Sequence, residues 1–328
     1  MATGSGVSPA ADRFLLAVVG SGSKTQALLT DLRGKAIARG FGPASNPNVV
    51  GFEAFGRALT MAIEGALVNA MGPRRGDADG AAWRGVGIAS ACFGLAGVDS
   101  PEDEARVSRW VREQAVSERT LVVNDAALVM AGGTPDGWGV ALISGSGSVC
   151  YGRSAQGREV RVGGWGPLLG DEGSGYEMAL GALRLCTQTA DGRADAHALL
   201  QAILRHWSLP DASALLRHVY RPGTTPGDLA ALAPVIVDLA ASGDADARAL
   251  VEATARGLAR QVDTAVRKLA LERPPLALAG SSLQRGDMRR ALLSAVSAEI
   301  GTTAYVPDLC RGAVKLAERL LKGPQAGR

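Results

Sequence analysis

Gly20-Ser21-Gly22-Ser23 and Gly145-Ser146-Gly147-Ser148 are the same four residues in the same order. Each follows an apolar run, Phe14–Val19 or Val140–Ile143, and precedes two more strand-like runs. A glycine-serine turn between strands lets backbone N–H groups come close to an anion. Taken singly, either copy is equally well an ordinary hairpin loop, because Gly and Ser are default turn residues. The repeat, AVVGSGSKTQALLTDLRGKAIARG in one half and ALISGSGSVCYGRSAQGREVRVGG in the other, points to a duplicated domain. It also points to two facing lobes that grip a polyphosphate.

Other residues have the chemistry to act beside such loops. Asp125 follows the apolar run Leu121–Val123, and strand ends are where α/β proteins place ligands. Its carboxylate could accept a hydroxyl proton, or it could simply cap a helix. Asp171-Glu172 lie among Gly163, Gly164, Gly166, Gly170 and Gly173, a density that implies close backbone packing or close ligand approach. These acids could hold sugar hydroxyls or a magnesium shell, or offset a helix dipole. Trp165 could form a pocket wall or fill a core. Asn46, in a loop with Pro43 and Pro47, could donate to and accept from sugar hydroxyls or form a turn.

The elements that must position these residues read as α/β. Strands are predicted at Phe14–Val19, Gln26–Thr30 and Lys35–Arg39, then a helix through Phe52, Phe55, Leu59, Ile63 and Leu67 that ends at Gly72-Pro73. An exposed linker is expected over 74–82. A strand Gly85–Leu95 follows, then a helix opened by Asp99/Ser100 and Pro101, with Val107, Trp110 and Val111 on its apolar face, then the strand 121–123. The second half restarts with three strands from Val140 to Val162. Helices are predicted from about Ser174 to Thr189, over 196–219 and over 228–271. A strand Leu276–Ala279 leads into Gly280-Ser281-Ser282, then come a helix over 287–299, a strand Thr303–Val306 and a final amphipathic helix Arg311–Leu321. That last helix is expected to pack back on the first domain. The domains are 13–123 and 124–310, after a flexible tail of residues 1–12.

Composition narrows the function classes. A net charge of +3 over 328 residues, with no Lys/Arg run, gives no nucleic-acid footprint. Cys92, Cys150, Cys186 and Cys310 lack zinc or cluster spacing and read as small buried hydrophobes of a reduced cytoplasmic protein. His197, His206 and His218 also lack ligand spacing. No apolar stretch is long enough to span a membrane, and residues 1–12 lack the basic start of a signal peptide.

With these residues in view, the chain resembles the BadF/BadG/BcrA/BcrD-type ATPases, and among them the N-acetylglucosamine kinases, from Phe14 to about Leu321. The stretches that carry the resemblance are ALISGSGS (141–148), GGWG followed by LGDEGS (163–174) and NDA (124–126). The resemblance implies the two-domain actin/hexokinase-like (ribonuclease H-like) fold, each domain βββαβα, with an interdomain cleft. It implies that Gly20, Ser21, Gly22, Ser23 and Lys24 form a first ATP-phosphate loop. Ser144, Gly145, Ser146, Gly147 and Ser148 form a second, and Gly280 and Ser281 lie beside the adenosine. Asp125 is implied as general base and, through water, as a magnesium contact. Asn46, Asn124, Gly163, Gly164, Trp165, Asp171 and Glu172 are implied on the sugar side. The implied reaction is transfer from MgATP to the 6-hydroxyl of an amino sugar, N-acetylglucosamine first, with glucosamine and N-acetylmuramic acid as alternatives. Homodimers are common in the group.

One position departs from the family pattern. The residue before the first loop is usually acidic and helps hold the metal; here it is Val19. A catalytically impaired sugar or nucleotide sensor is therefore the rival of a different class. Dehydratase activators of the same family hold an iron–sulfur cluster through cysteines, and no suitable cysteine pair is evident here. ROK-type sugar kinases carry a Cys-rich zinc motif that this chain lacks.

Overall fold

A computed structural model describes residues 13–72, 83–98 and 100–323. The expected tail, the expected linker 74–82 and Asp99 lie outside the described residues. The elements, in chain order, are β1 (Phe14–Gly20), β2 (Thr25–Asp31), β3 (Ala36–Gly42), α1 (Pro47–Val50), α2 (Phe52–Met71), β4 (Ile88–Leu95), α3 (Pro101–Gln114), β5 (Thr120–Val123) and α4 (Asp125–Gly133). Then come β6 (Gly139–Ser144), β7 (Ser148–Arg153), β8 (Glu159–Gly163), α5 (Gly175–Ala190), α6 (His197–His206), α7 (Ser213–Val219), α8 (Pro226–Ala230), α9 (Ala233–Ala241) and α10 (Ala245–Leu269). The chain closes with β9 (Leu276–Ala279), α11 (Gly286–Ala295), β10 (Thr303–Tyr305) and α12 (Leu309–Lys322). It divides into two compact units: the residues up to Gly132 together with those from Asp308 onward, and Gly133–Pro307.

The two units repeat one sheet plan. The first sheet has the order β3-β2-β1-β4-β5, and the second, read from its other edge, is β8-β7-β6-β9-β10. In each, a three-stranded antiparallel meander is extended by two parallel strands beside its first strand. The duplication predicted from the repeated glycine-serine string is thus present in the strand pairing.

Side-chain alternation explains the layers of the first unit. Phe14, Leu16 and Val18 of β1 pack with Phe55, Leu59, Ile63 and Leu67 of α2. Leu15 and Ala17 point to the opposite face and pack with Leu128 of α4 and Cys310, Ala313, Val314 and Ala317 of α12. A period of two on a strand and of three to four on a helix makes each face continuous. All eight residues of β4 are buried, as expected for a strand covered on both sides.

Local signals set the helix ends. The Ser100 side chain accepts from the Asp103 amide at 3.1 Å, and Pro101 sits where a missing N–H costs nothing. Gly72 ends α2 with φ +78°. Several boundaries differ from the periodicity, the stretches 196–219 and 228–271 being broken into five helices and β4 starting at Ile88 rather than Gly85, and two of the differences have a plain cause. β3 runs to Gly42, beyond Arg39, because its pairing with β2 continues to Thr25 opposite Gly42. α11 stops at Ala295, short of 299, because the Ser297 and Ala298 amides donate to the Asp263 carboxylate instead of continuing the helix.

Candidate active site

In the first unit, β1, β4 and β5 run parallel, with Gly20 opposite Leu95 and Gly94 opposite Val123. Their carboxyl ends therefore share one sheet edge. The first glycine-serine turn leaves β1 at that edge. Ser21 organises it: its Oγ accepts from the Ser23 and Lys24 amides at 3.3 Å and donates to the Lys24 carbonyl at 3.0 Å. Gly22, Ser23 and Lys24 are exposed at the tip. Neighbouring segments brace the turn, the Ser45 amide donating to Ser21 O and the Ala96 amide to Gly20 O.

Asn46 and Asn124 reach the same edge by similar means. Asn46 caps α1, its side chain accepting from the Asn48 amide at 3.0 Å, and Asn48 Nδ2 donates to Gly97 O at 3.2 Å. Asn124 Oδ1 accepts from the Ala127 amide at 2.9 Å and so caps α4. Asp125 is the first residue of that helix and is half-buried, where the helix dipole favours a carboxylate. The capping role weighed for Asp125 belongs to its neighbour. Val19 is half-buried with Leu121 and Val123 against the α12 side of the sheet, so this position supplies no oxygen there.

In the second unit, three segments close on one another. The turn from Ser144 to Ser148 is held by Gly145 N–H to Gly147 O at 2.9 Å, and Gly145 O accepts from the Gly175 amide and from Ser282 Oγ. Ser144 Oγ donates to Gly173 O at 2.9 Å, and Ser148 Oγ donates to Glu172 O at 2.8 Å. The Ser148 amide donates to Asp171 Oδ1 at 3.0 Å. Asp171 and Glu172, grouped in the sequence with the Gly163–Gly166 stretch, therefore lie directly against the second turn.

Gly280 joins this cluster with φ +98°, and a Cβ there would collide with the Ser144 carbonyl. Gly280→Ala is expected to lower unfolding free energy by about 1–3 kcal/mol, the scale of a forced backbone conformation. Urea unfolding measures this, and an unchanged midpoint and slope would show that the turn relaxes without cost.

Asp171 is the one chemically unusual group. It is 7 % exposed and holds φ +61°. The other non-glycine residues with positive φ among the described residues, Ala115, Ser208, Ala270 and Arg273, are all exposed. Burial pushes its carboxyl above the ordinary value, and the Glu172 charge adds to this while the Ser148 N–H opposes it. Strain and desolvation on one buried acid are a combination that recurs at functional positions.

Trp165 is 71 % exposed and is no core residue, and Leu168 and Leu169 beside it are 91 % and 80 % exposed. Their loop is closed by Gly170 N–H to Gly166 O at 2.9 Å. Gly163 and Gly164 lie against Gln261 and Arg161 respectively. Sequence reasoning missed Ser45, Asn48 and Gly97, which brace the first edge. The string Ser45-Asn46-Pro47 carried a signal, a helix cap followed by Pro in the first turn. Among the described residues no group of three or more His, Cys, Asp or Glu side chains comes together as a metal cage. Magnesium commonly needs only one or two carboxylates plus phosphate oxygens, a donor set that Asp125 and the serine hydroxyls fit.

Comparisons with known proteins agree with this geometry. The chain is 31 % identical over 267 residues to the N-acetylmuramic acid/N-acetylglucosamine kinase of Clostridium acetobutylicum, covering 81 % of this chain and 83 % of that one. It is 30 % identical over 316 residues to the N-acetyl-D-glucosamine kinase of Dictyostelium discoideum, covering 93 % and 97 %. The crystal structure of a candidate N-acetylglucosamine kinase from Chromobacterium violaceum superimposes with a TM-score of 0.69 at 26 % identity, covering 94 % of this chain and 99 % of that one. A ROK-family glucokinase from Streptomyces griseus, with a TM-score of 0.51 at 16 % identity, shares the actin/hexokinase-like fold. The family profile described as BadF/BadG/BcrA/BcrD ATPase matches residues 19–309, and the chain belongs to that family.

Proposed function

We propose that this protein transfers the terminal phosphoryl group of ATP to the 6-hydroxyl of an amino sugar, N-acetylglucosamine first and N-acetylmuramic acid or glucosamine next. The observation that carries the reading is the shared sheet edge of the first unit. It holds a braced glycine-serine turn and, at the first position of a helix capped by another residue, a carboxylate. The names of two relatives at about 30 % identity support the same chemistry.

Phosphoryl transfer needs positioning and charge neutralisation more than covalent help. In this reading the amides and hydroxyls of Gly20–Lys24 and Ser144–Ser148 bind the phosphates, and Gly280-Ser281 lies beside the adenosine. Asn46, Asn124, Gly163, Gly164, Trp165, Asp171 and Glu172 hold sugar hydroxyls and ring. Asp125 takes the proton from the attacking hydroxyl. Bound magnesium would neutralise the polyphosphate charge, with Asp125 as its protein contact through water. All four cysteines are free and buried, which suits a reducing cytoplasm.

An ADP-release assay over a panel of N-acetylglucosamine, N-acetylmuramic acid, glucosamine and glucose tests the reading. Sugar-dependent ADP release, highest with an amino sugar, is the expected result. Tight sugar or nucleotide binding without turnover would instead establish the sensor reading that Val19 favours. Val19→Asp restores an oxygen at the strand end, and turnover at limiting magnesium should rise by about 10-fold. Unchanged magnesium dependence in kcat titrations would show that position 19 plays no part in metal use.

A further inference from the structure

We propose that Gln261, on α10, is a positioning residue for phosphoryl transfer, the tie that keeps the second glycine-serine turn in register with Asp171-Glu172. The proposal rests on the kinase reading above. Thr254, Gly257, Leu258 and Gln261 recur at helical spacing on the buried side of α10 and line the stretch around Gly173. Gly257 lets the helix approach the Glu172–Gly173 peptide at near contact. Gln261, only 5 % exposed, is the polar member that reaches both segments.

Its Nε2 donates to Glu172 O at 2.9 Å and to Ser148 Oγ at 3.0 Å, while Ser148 Oγ itself donates to Glu172 O. The three groups form a closed triangle. The amide orientation is fixed, because a carbonyl only accepts. That orientation leaves Oε1 buried, packed toward Gly163, without a hydrogen-bond partner among the described residues. A buried acceptor without a partner costs stability. A chain that keeps it gains the donor in return, and the donor's two partners are the last residue of the phosphate turn and the peptide beside the strained acid. Without the tie, Asp171 and Glu172 are held to the turn through Ser148, by its amide to Asp171 and its hydroxyl to Glu172, while Ser144 Oγ and the Gly175 amide hold the stretch further along.

Gln261→Met keeps side-chain length and burial and removes the donor. It should lower kcat by about 10–100-fold, since small misplacements of reacting groups cost on that scale, with both KM values within about threefold of the parent. Gln261→Glu separates position from packing. Its ionised carboxylate faces Glu172 O and cannot donate, but once protonated it carries an O–H donor. Its kcat relative to the parent should therefore be low at about pH 8 and recover toward about pH 5.5, while the Gln261→Met deficit stays flat with pH. Asp171 and Glu172 are common to all three proteins, and the Gln261→Met profile carries their own titration; a carboxylate at 261 couples to theirs and moves the recovery to higher pH.

A residue that served only the fold would lower melting temperature and active fraction, most at high pH for Gln261→Glu, while kcat per folded molecule stayed at the parent value at every pH. Gln261→Met turnover within about twofold of the parent would overturn the proposal. Should the parent phosphorylate no sugar of the panel, the kinase reading fails. The tie is then read from amide hydrogen exchange: Gln261→Met should speed exchange at Ser148 and around Gly173, and unchanged protection there would dismiss it.

Discussion

Asp125→Asn should cut kcat by about 10²–10⁴ while leaving ATP and sugar affinities within about threefold of the parent. The substitution is nearly isosteric, and it leaves the cap and the buried face of α4 in place. The capping hydrogen bond of α4 comes from Asn124 Oδ1 to the Ala127 amide, and the buried face of the helix is Ala126, Leu128, Val129, Met130 and Ala131. The substituted amide would keep one oxygen at the strand end but could not take a proton. Fluorescence or calorimetric titrations with ATP and N-acetylglucosamine, beside steady-state turnover, separate the two effects. Turnover within a few-fold of the parent would mean that another group, or water, takes the proton. Equal losses in affinity and turnover would make Asp125 a binding group instead.

Much of the fold was legible because its signals are local. The strings Phe14–Val19 and Val140–Ile143, each followed by the same turn, fixed two meanders, and the pairing reproduces them. Ser100-Pro101 and Gly72 marked helix ends through cap and turn chemistry. What was not legible depends on tertiary partners. α11 ends early because Asp263, far away in sequence, captures its next amides. Trp165 was weighed as a core or pocket residue, and only the loop geometry places it at 71 % exposure. The link between Asp171-Glu172 and the second turn was invisible for the same reason, since Ser148 meets both acids' segment across more than twenty residues of sequence and Gln261 of α10 completes the contact. The one trace it left in the sequence is a glutamine on the apolar stripe of a long amphipathic helix.

The buried thiols also bear on the rival readings. Cys92, Cys186 and Cys310 are pushed up to about 12 by burial, and Cys150 further still. A cluster or metal ligand is a thiolate, and burial in apolar surroundings disfavours that form. Cys150 belongs to the core of the second unit, and Cys92 and Cys310 to the layer between the sheet and α12 in the first. These thiols act as packing groups, which argues against the iron–sulfur activator and agrees with the amino-sugar kinase reading.

Asp171→Asn should stabilise the protein at neutral pH and at the same time damage the reaction. The native state holds the Asp171 proton more tightly than the unfolded chain, in which aspartate titrates near 3.8. Stability therefore falls as pH rises from that value through the raised native one, and above it the full desolvation cost is present. Asparagine removes the cost, keeps an oxygen to accept from the Ser148 amide, and tolerates φ +61° better than most residues. The melting-temperature difference, variant minus parent, should be near zero at about pH 4 and positive at neutral pH. In turnover assays, if Asp171 holds a sugar hydroxyl as proposed, loss of that charge-assisted hydrogen bond should lower kcat/KM for the sugar by about 10–150-fold. The opposite signs matter, because a residue kept for stability would lose both quantities together. A variant less stable than the parent at neutral pH would show that the carboxylate is structurally satisfied. One that is more stable and fully active would remove Asp171 from the sugar side of the site.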